Sequence, residues 1–104
     1  MATPTIGTHV VIATGGTPVQ VFPAGINGGY IVNPYVAADQ GIATAEVLYV
    51  DPVSATPGST PGSGNGTASA LVPGQSWVVP VYGSTLPVFA NATTSGHRFT
   101  AVYW

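Results

Sequence analysis

Apolar residues in this chain come in short bursts, and no window keeps an apolar stripe at helical spacing for three turns. Segments rich in Val, Ile, Tyr and Thr recur instead, at 9–13, 19–22, 30–33, 46–50, 70–72, 76–82, 87–90 and 97–104. Branched and aromatic residues fit a pleated, half-buried surface, so these segments are predicted to be β-strands. Turn chemistry separates them. Thr14-Gly15-Gly16-Thr17 can close a hairpin, and Asn27-Gly28-Gly29 is a second turn of that kind. "VNP" and "VDP" end two strands alike, with proline removing a ladder donor and the Asx side chain starting a turn. Pro73-Gly74 predicts a type II turn, Gly83-Ser84 joins two strands, and Ser95-Gly96 opens the last one. The expectation is an all-β chain, a single-domain antiparallel β-sandwich of jelly-roll-like or immunoglobulin-like kind, with a small β-barrel as the alternative.

One stretch breaks the rhythm. Residues 52–69, "PVSATPGSTPGSGNGTAS", carry no charge and no strand pattern. Loops of this length in one domain are functional or disordered. It is read as a mobile surface loop, or as an arm ordered against a neighbouring subunit. Residues 1–7, "MATPTIG", are read as a second arm, with the whole of 1–104 forming one domain. The opening has neither a basic region nor an apolar core, so no signal peptide is expected.

Charge changes the picture most. Asp39, Glu46, Asp51 and Arg98 are the charged side chains, 4% of the chain, against roughly 25% in ordinary soluble domains. That balance lacks the electrostatic footprint of nucleic-acid binding and any polybasic membrane patch. Thr, Ser, Gly, Asn and Gln must cover the surface instead. Little self-repulsion remains to keep copies apart. There is no cysteine, hence no disulfide framework and no thiolate metal site. Synthesis in a cytosol combined with such a surface fits a viral structural protein.

Candidate chemistry is sparse. His9 and His97 could join a carboxylate around zinc, but no HxH or HxxxH spacing is present, and each is read as an edge or hydrogen-bonded histidine. Asp39, Glu46 and Asp51 have neither calcium-loop spacing nor the context of a catalytic pair; Asp39 is expected to cap a turn at "AADQG", Glu46 to begin a strand and Asp51 to end it. No serine sits in a nucleophile elbow, and "PGSGNG" lacks the lysine and helix of a phosphate loop. Asn65-Gly66-Thr67 and Asn91-Ala92-Thr93 match the glycosylation sequon by chance in a Thr-rich chain. The expectation is a protein that is not an enzyme and uses no cofactor or metal.

The closing segment carries more information. Alternation puts Phe99, Ala101 and Tyr103 on one face and Arg98, Thr100, Val102 and Trp104 on the other. Both faces are largely apolar, as suits a strand buried by the core on one side and by a partner on the other. A sugar-stacking platform built from the exposed Tyr and Trp rings is the competing reading.

Taken in order, "GGYIVNP", "AEVLYVDP", "ALVPGQSW" and "ATTSGHRFTAVYW" resemble a group of small β-rich virion proteins of tailed bacteriophages, over 28–104. The resemblance implies a head decoration, or cement, protein with a sandwich fold and no catalytic residues, bound to the major capsid protein on the capsid surface after synthesis in the host cytoplasm. Fibre components also belong to this group, which keeps a carbohydrate-binding module of a fibre or particle surface as the alternative. Self-association, as a trimer on local threefold positions, follows the closed symmetry of such assemblies. Arg98, Val102, Trp104, Tyr35 and Trp77 are the expected interface residues, with Arg98 as the polar anchor.

Overall fold

The computed structural model describes residues 3–58 and 67–104. In chain order the elements are β1 (Thr5–Ile6), β2 (Val11–Ile12), β3 (Val19–Phe22), β4 (Gly29–Val32), α1 (Ala37–Gln40), β5 (Leu48–Asp51), β6 (Ser69–Leu71), β7 (Ser76–Val78), β8 (Val88–Asn91), β9 (His97–Arg98) and β10 (Thr100–Tyr103). They form two four-stranded antiparallel sheets, β1-β10-β4-β7 and β3-β8-β5-β6, and a two-stranded β2-β9 sheet. The arrangement is sandwich-like and nearly all-β, as the alternation predicts.

One buried cluster joins the two large sheets: Ile31, Val79, Phe99 and Ala101 from one side, Val21, Phe22, Leu48, Val50, Leu71, Val88 and Ala90 from the other. Each fully buried Val, Leu, Ile or Phe stabilises the fold by about 1.5–3 kcal/mol. The β3–β8 register shifts between Gln20 and Phe22. That irregularity lets the consecutive Val21 and Phe22 both point inward, where a regular pleat would expose one of them. Phe22 meets Tyr103 of the opposite sheet at 5.5 Å between ring centroids.

Several local readings need correction. The segment at 9–13 is strand only at Val11–Ile12. The Thr14–Thr17 turn forms, with Thr17 N–H donating to Thr14 O at 3.0 Å, but its flanking strands enter different sheets, so it is a corner and not a hairpin. Gly15 is required there by close approach, since a Cβ on it would lie 2.1 Å from Thr93 O. Asn27-Gly28-Gly29 likewise closes no hairpin: both Asn27 and Gly28 N–H groups donate to Trp104 O. The segment at 76–82 stops pairing at Val78, and Pro80–Gly83 is a turn. Asp39 caps nothing. It lies exposed in the single turn of α1, while the buried residue of that turn is Gln40. Within the expected arm 1–7, Thr5 and Ile6 pair with Tyr103 and Val102. The 97–104 strand divides at Phe99, whose N–H donates to Val10 O; its first half pairs in the small sheet and its second half in a large one. Inward–outward alternation survives the division.

Of the long 52–69 loop, residues 59–66 lie outside the described residues, Asn65 of the first sequon among them. Its beginning is tied down. The buried Asp51 carboxylate accepts the N–H groups of Val53 and Ser54, each at 2.9 Å, and the Thr67 hydroxyl at 2.8 Å. Asn91 Nδ2 donates to Pro57 O at 2.9 Å. Tyr49, Asp51 and Asn91 belong to the outer face of the β3-β8-β5-β6 sheet and are nevertheless buried, because 52–58 lies over them. Asn91, at 2% exposure, is closed to a glycosylating enzyme. Asp51→Ala strands two amides and a hydroxyl; the expected loss is about 1.5–3 kcal/mol by urea denaturation, with Asp51→Asn losing less. Equal stability of Asp51→Ala and the parent would remove Asp51 as the anchor.

Candidate interaction surface

The last strand reaches the surface from a buried polar cluster. Asn33 ends β4, Gln40 closes α1, Glu46 precedes β5 and His97 opens β9. Asn33 Nδ2 donates to the carbonyls of Glu46 (2.9 Å) and Leu71 (2.8 Å), which orients Asn33 Oδ1 toward Gln40 Nε2 at 3.1 Å and His97 Nε2 at 2.8 Å. Gln40 also donates to Pro34 O and accepts Glu46 N–H. The other ring nitrogen, His97 Nδ1, faces Glu46 Oε1 at 3.0 Å. The two ring nitrogens thus face Asn33 Oδ1 and Glu46 Oε1, one on each side of the imidazole.

Burial by itself would raise the Glu46 carboxyl; hydrogen bonds from His97 and from the Thr94 N–H and hydroxyl outweigh it and hold the group below its ordinary value. Burial, with the Glu46 charge nearby, pushes the Tyr49 phenol up. The cluster joins four elements through side chains. His97 is hydrogen-bonded, one of the two readings that its sequence context allows. His9 is exposed, with Nδ1 2.8 Å from Gln20 O. Among the described residues, no group of three or more His, Cys, Asp and Glu is placed to hold a metal ion. No helix among them is long and apolar enough to cross a membrane.

The five expected interface residues do not form one patch. Trp77 faces inward from β7 and packs, partly buried, against the core. Arg98 is exposed on the small sheet, with its guanidinium over Gly41 at the end of α1. Tyr35 is exposed beside Gly74 of the Val72–Gln75 turn, whose Gln75 N–H donates to Val72 O as a type II turn requires. Val102 and Trp104 do come together with residues that the strand pattern alone did not single out. Register aligns Ile6, Val102, Tyr30 and Val78 in one row across all four strands of the β1-β10-β4-β7 sheet, on its outer face. Thr100, Val32 and Ser76 form the next row. Neither row contains a charge; Ile6 and Val78 at the two edges are exposed, and Val102, Tyr30 and Val32 between them are partly buried.

At the β7 end of this face, a groove of about 440 Å³ opens between Trp104, Tyr30, Val78 and Val81. Trp104 is held by its backbone: its N–H donates to Gly28 O, and its carbonyl accepts from Asn27 and Gly28. The indole lies against Gly28, where a Cβ would sit 2.5 Å from Nε1. Trp104 as a whole is 40% exposed. Val81 on the groove's rim and Tyr82 next to it stand out at 100% and 87% exposure. Exposed apolar residues this close together mark interaction surfaces. No family model, curated protein or solved structure matches the chain.

Proposed function

We propose that the chain is a non-enzymatic structural protein of a virus particle, a head decoration protein that binds and stabilises a phage capsid lattice. The observation that carries this reading is the apolar outer face of the β1-β10-β4-β7 sheet, a row of Ile6, Val102, Tyr30 and Val78 without a charge, exposed at its two edges and ending in the Trp104 groove. The opposite sheet has its outer face covered by its own loop. A chain that covers one sheet and leaves the other apolar is built to be covered by something else. The partner that fits is the major capsid protein, and attachment at many lattice points makes weak contacts collectively strong. Arg98, away from this face, is free to add a polar contact to a neighbouring subunit.

The test is the copy number of the chain in purified particles from its source lysate, relative to the major shell protein. A simple lattice fraction is expected; absence from particles overturns the reading. The Trp104 groove, with the Ser76 hydroxyl and Asn27 on its rim, is the observation that favours the second reading, a carbohydrate-binding module. Quenching of Trp104 emission by neutral sugars would support it.

A further inference from the structure

We propose that β7 is a self-association edge, at which two copies of the chain pair antiparallel about a two-fold axis passing beside Trp77. The inference rests on the edge itself and stands apart from the virion reading.

The register decides which backbone groups are free. Val79 N–H donates to Gly29 O and Asn33 N–H donates to Gln75 O, so the odd-numbered residues of β7 face β4. Ser76 and Val78 therefore turn their N–H and C=O groups outward, and no described segment takes them. The other edges of the two large sheets are shortened or partly occupied. On β1 the outward positions are Ile6 and Pro4, and proline has no N–H to offer. The β3 carbonyls of Val21 and Gln20 are taken by Thr8 N–H and the His9 ring. On β6, Leu71 O accepts from the Asn33 amide. Edges left open in this way attract another strand.

A second copy fits β7 in three respects. Ser76 of one copy opposite Val78 of the other, and the converse, pairs every outward donor with an acceptor, as a two-fold interface requires. A two-fold sets like against like, so any charge here would oppose its own copy; the groove beside β7 has no charged residue in its lining. The next outward position is Pro80, which ends the ladder, so pairing closes at two copies. The outcome is a continuous eight-stranded sheet that doubles the apolar outer face. The trimer expected from the resemblance cannot form through this edge alone.

Sedimentation velocity of the purified full chain, from micromolar to about 1 mM, tests it, the upper end corresponding to roughly 4 kcal/mol of association. A concentration-dependent monomer–dimer equilibrium is expected. Val78→Lys and Ser76→Lys place a charge on exposed positions without touching the bonds to β4, and should weaken the dimer at least tenfold with the circular dichroism unchanged. Ile6→Lys, on the opposite edge, should leave it intact. Hydrogen exchange in the unmodified chain gives a second readout: the Ser76 and Val78 amides should be protected at high concentration and exchange quickly at low. A monomer throughout the range, a trimer, concentration-independent exchange, or a dimer that survives both lysines overturns the proposal.

Discussion

Replacing His97 with leucine is expected to destabilise the fold by about 3 kcal/mol, roughly 15 °C in Tm for a domain of this size. Leucine fills the space. It offers nothing to Asn33 Oδ1 or to Glu46 Oε1, which the ring meets at 2.8 and 3.0 Å. Asn33 keeps its bond from Gln40, and Glu46 keeps those from Thr94, so the loss stays below that of a fully isolated buried charge. The same network sets an acid limit. The folded chain holds the Glu46 carboxyl below its ordinary value of 4.5, so its contribution to stability is complete above that value. As pH falls further, through the depressed folded value, the carboxylate takes a proton and the contribution disappears. Thermal unfolding followed between pH 7 and pH 3 should show a steeper acid loss for the parent than for Glu46→Gln. Parallel curves would mean that Glu46 is not the group responsible, and a His97→Leu protein as stable as the parent would reduce the cluster to a bystander.

Pattern reading located this cluster poorly, for a physical reason. Alternation reports which face of a strand is buried by apolar contact, and it succeeds where that contact alone decides. Phe99, Ala101 and Tyr103 turn inward opposite Arg98, Thr100 and Trp104, whereas Val19–Phe22 has the expected bounds but turns both Val21 and Phe22 inward through its register shift. Gln40 obeys no such rule. In "AADQG" it looks like the polar end of a surface turn, and its burial depends on acceptors and donors at Asn33, Pro34 and Glu46 that only the folded chain brings together. The two glycine pairs misled in the same way. "TGGT" and "NGG" carry hairpin chemistry, yet each glycine pair serves a close approach, Gly15 to Thr93 and Gly28 to Trp104, between segments distant in sequence. The outer apolar row was half legible: Val102 and Trp104 follow from alternation, whereas Ile6, Tyr30 and Val78 join them only through the β1-β10-β4-β7 order. Strand order is long-range information, and nothing local encodes it.

The sharpest contrast among single substitutions should come from the neighbours Gly28 and Gly29. Gly29 has φ +151°, and a Cβ there would meet Val102 O at 2.5 Å and Tyr103 Cα at 3.0 Å. Both are backbone atoms of the strand paired with β4. They cannot swing aside, so Gly29→Ala must either break the β4–β10 register or carry the strain, with an expected cost of about 2–4 kcal/mol. The three atoms nearest a Cβ on Gly28 all belong to the Trp104 indole, at 2.5–2.7 Å. That ring is partly exposed and can move out, so the cost should stay near 1 kcal/mol. The effect appears elsewhere: Trp104 leaves its seat, its emission shifts to the red, and the groove beside β7 loses a wall. Urea denaturation and tryptophan emission, measured on both variants, separate the two cases. Gly29→Ala should unfold at much lower urea; Gly28→Ala should keep nearly the parent midpoint with altered emission and weaker binding to any partner that uses the groove. Equal midpoints for the two would mean that β10 yields as readily as a side chain, and that the apolar face it carries is less firmly held than its hydrogen bonds imply.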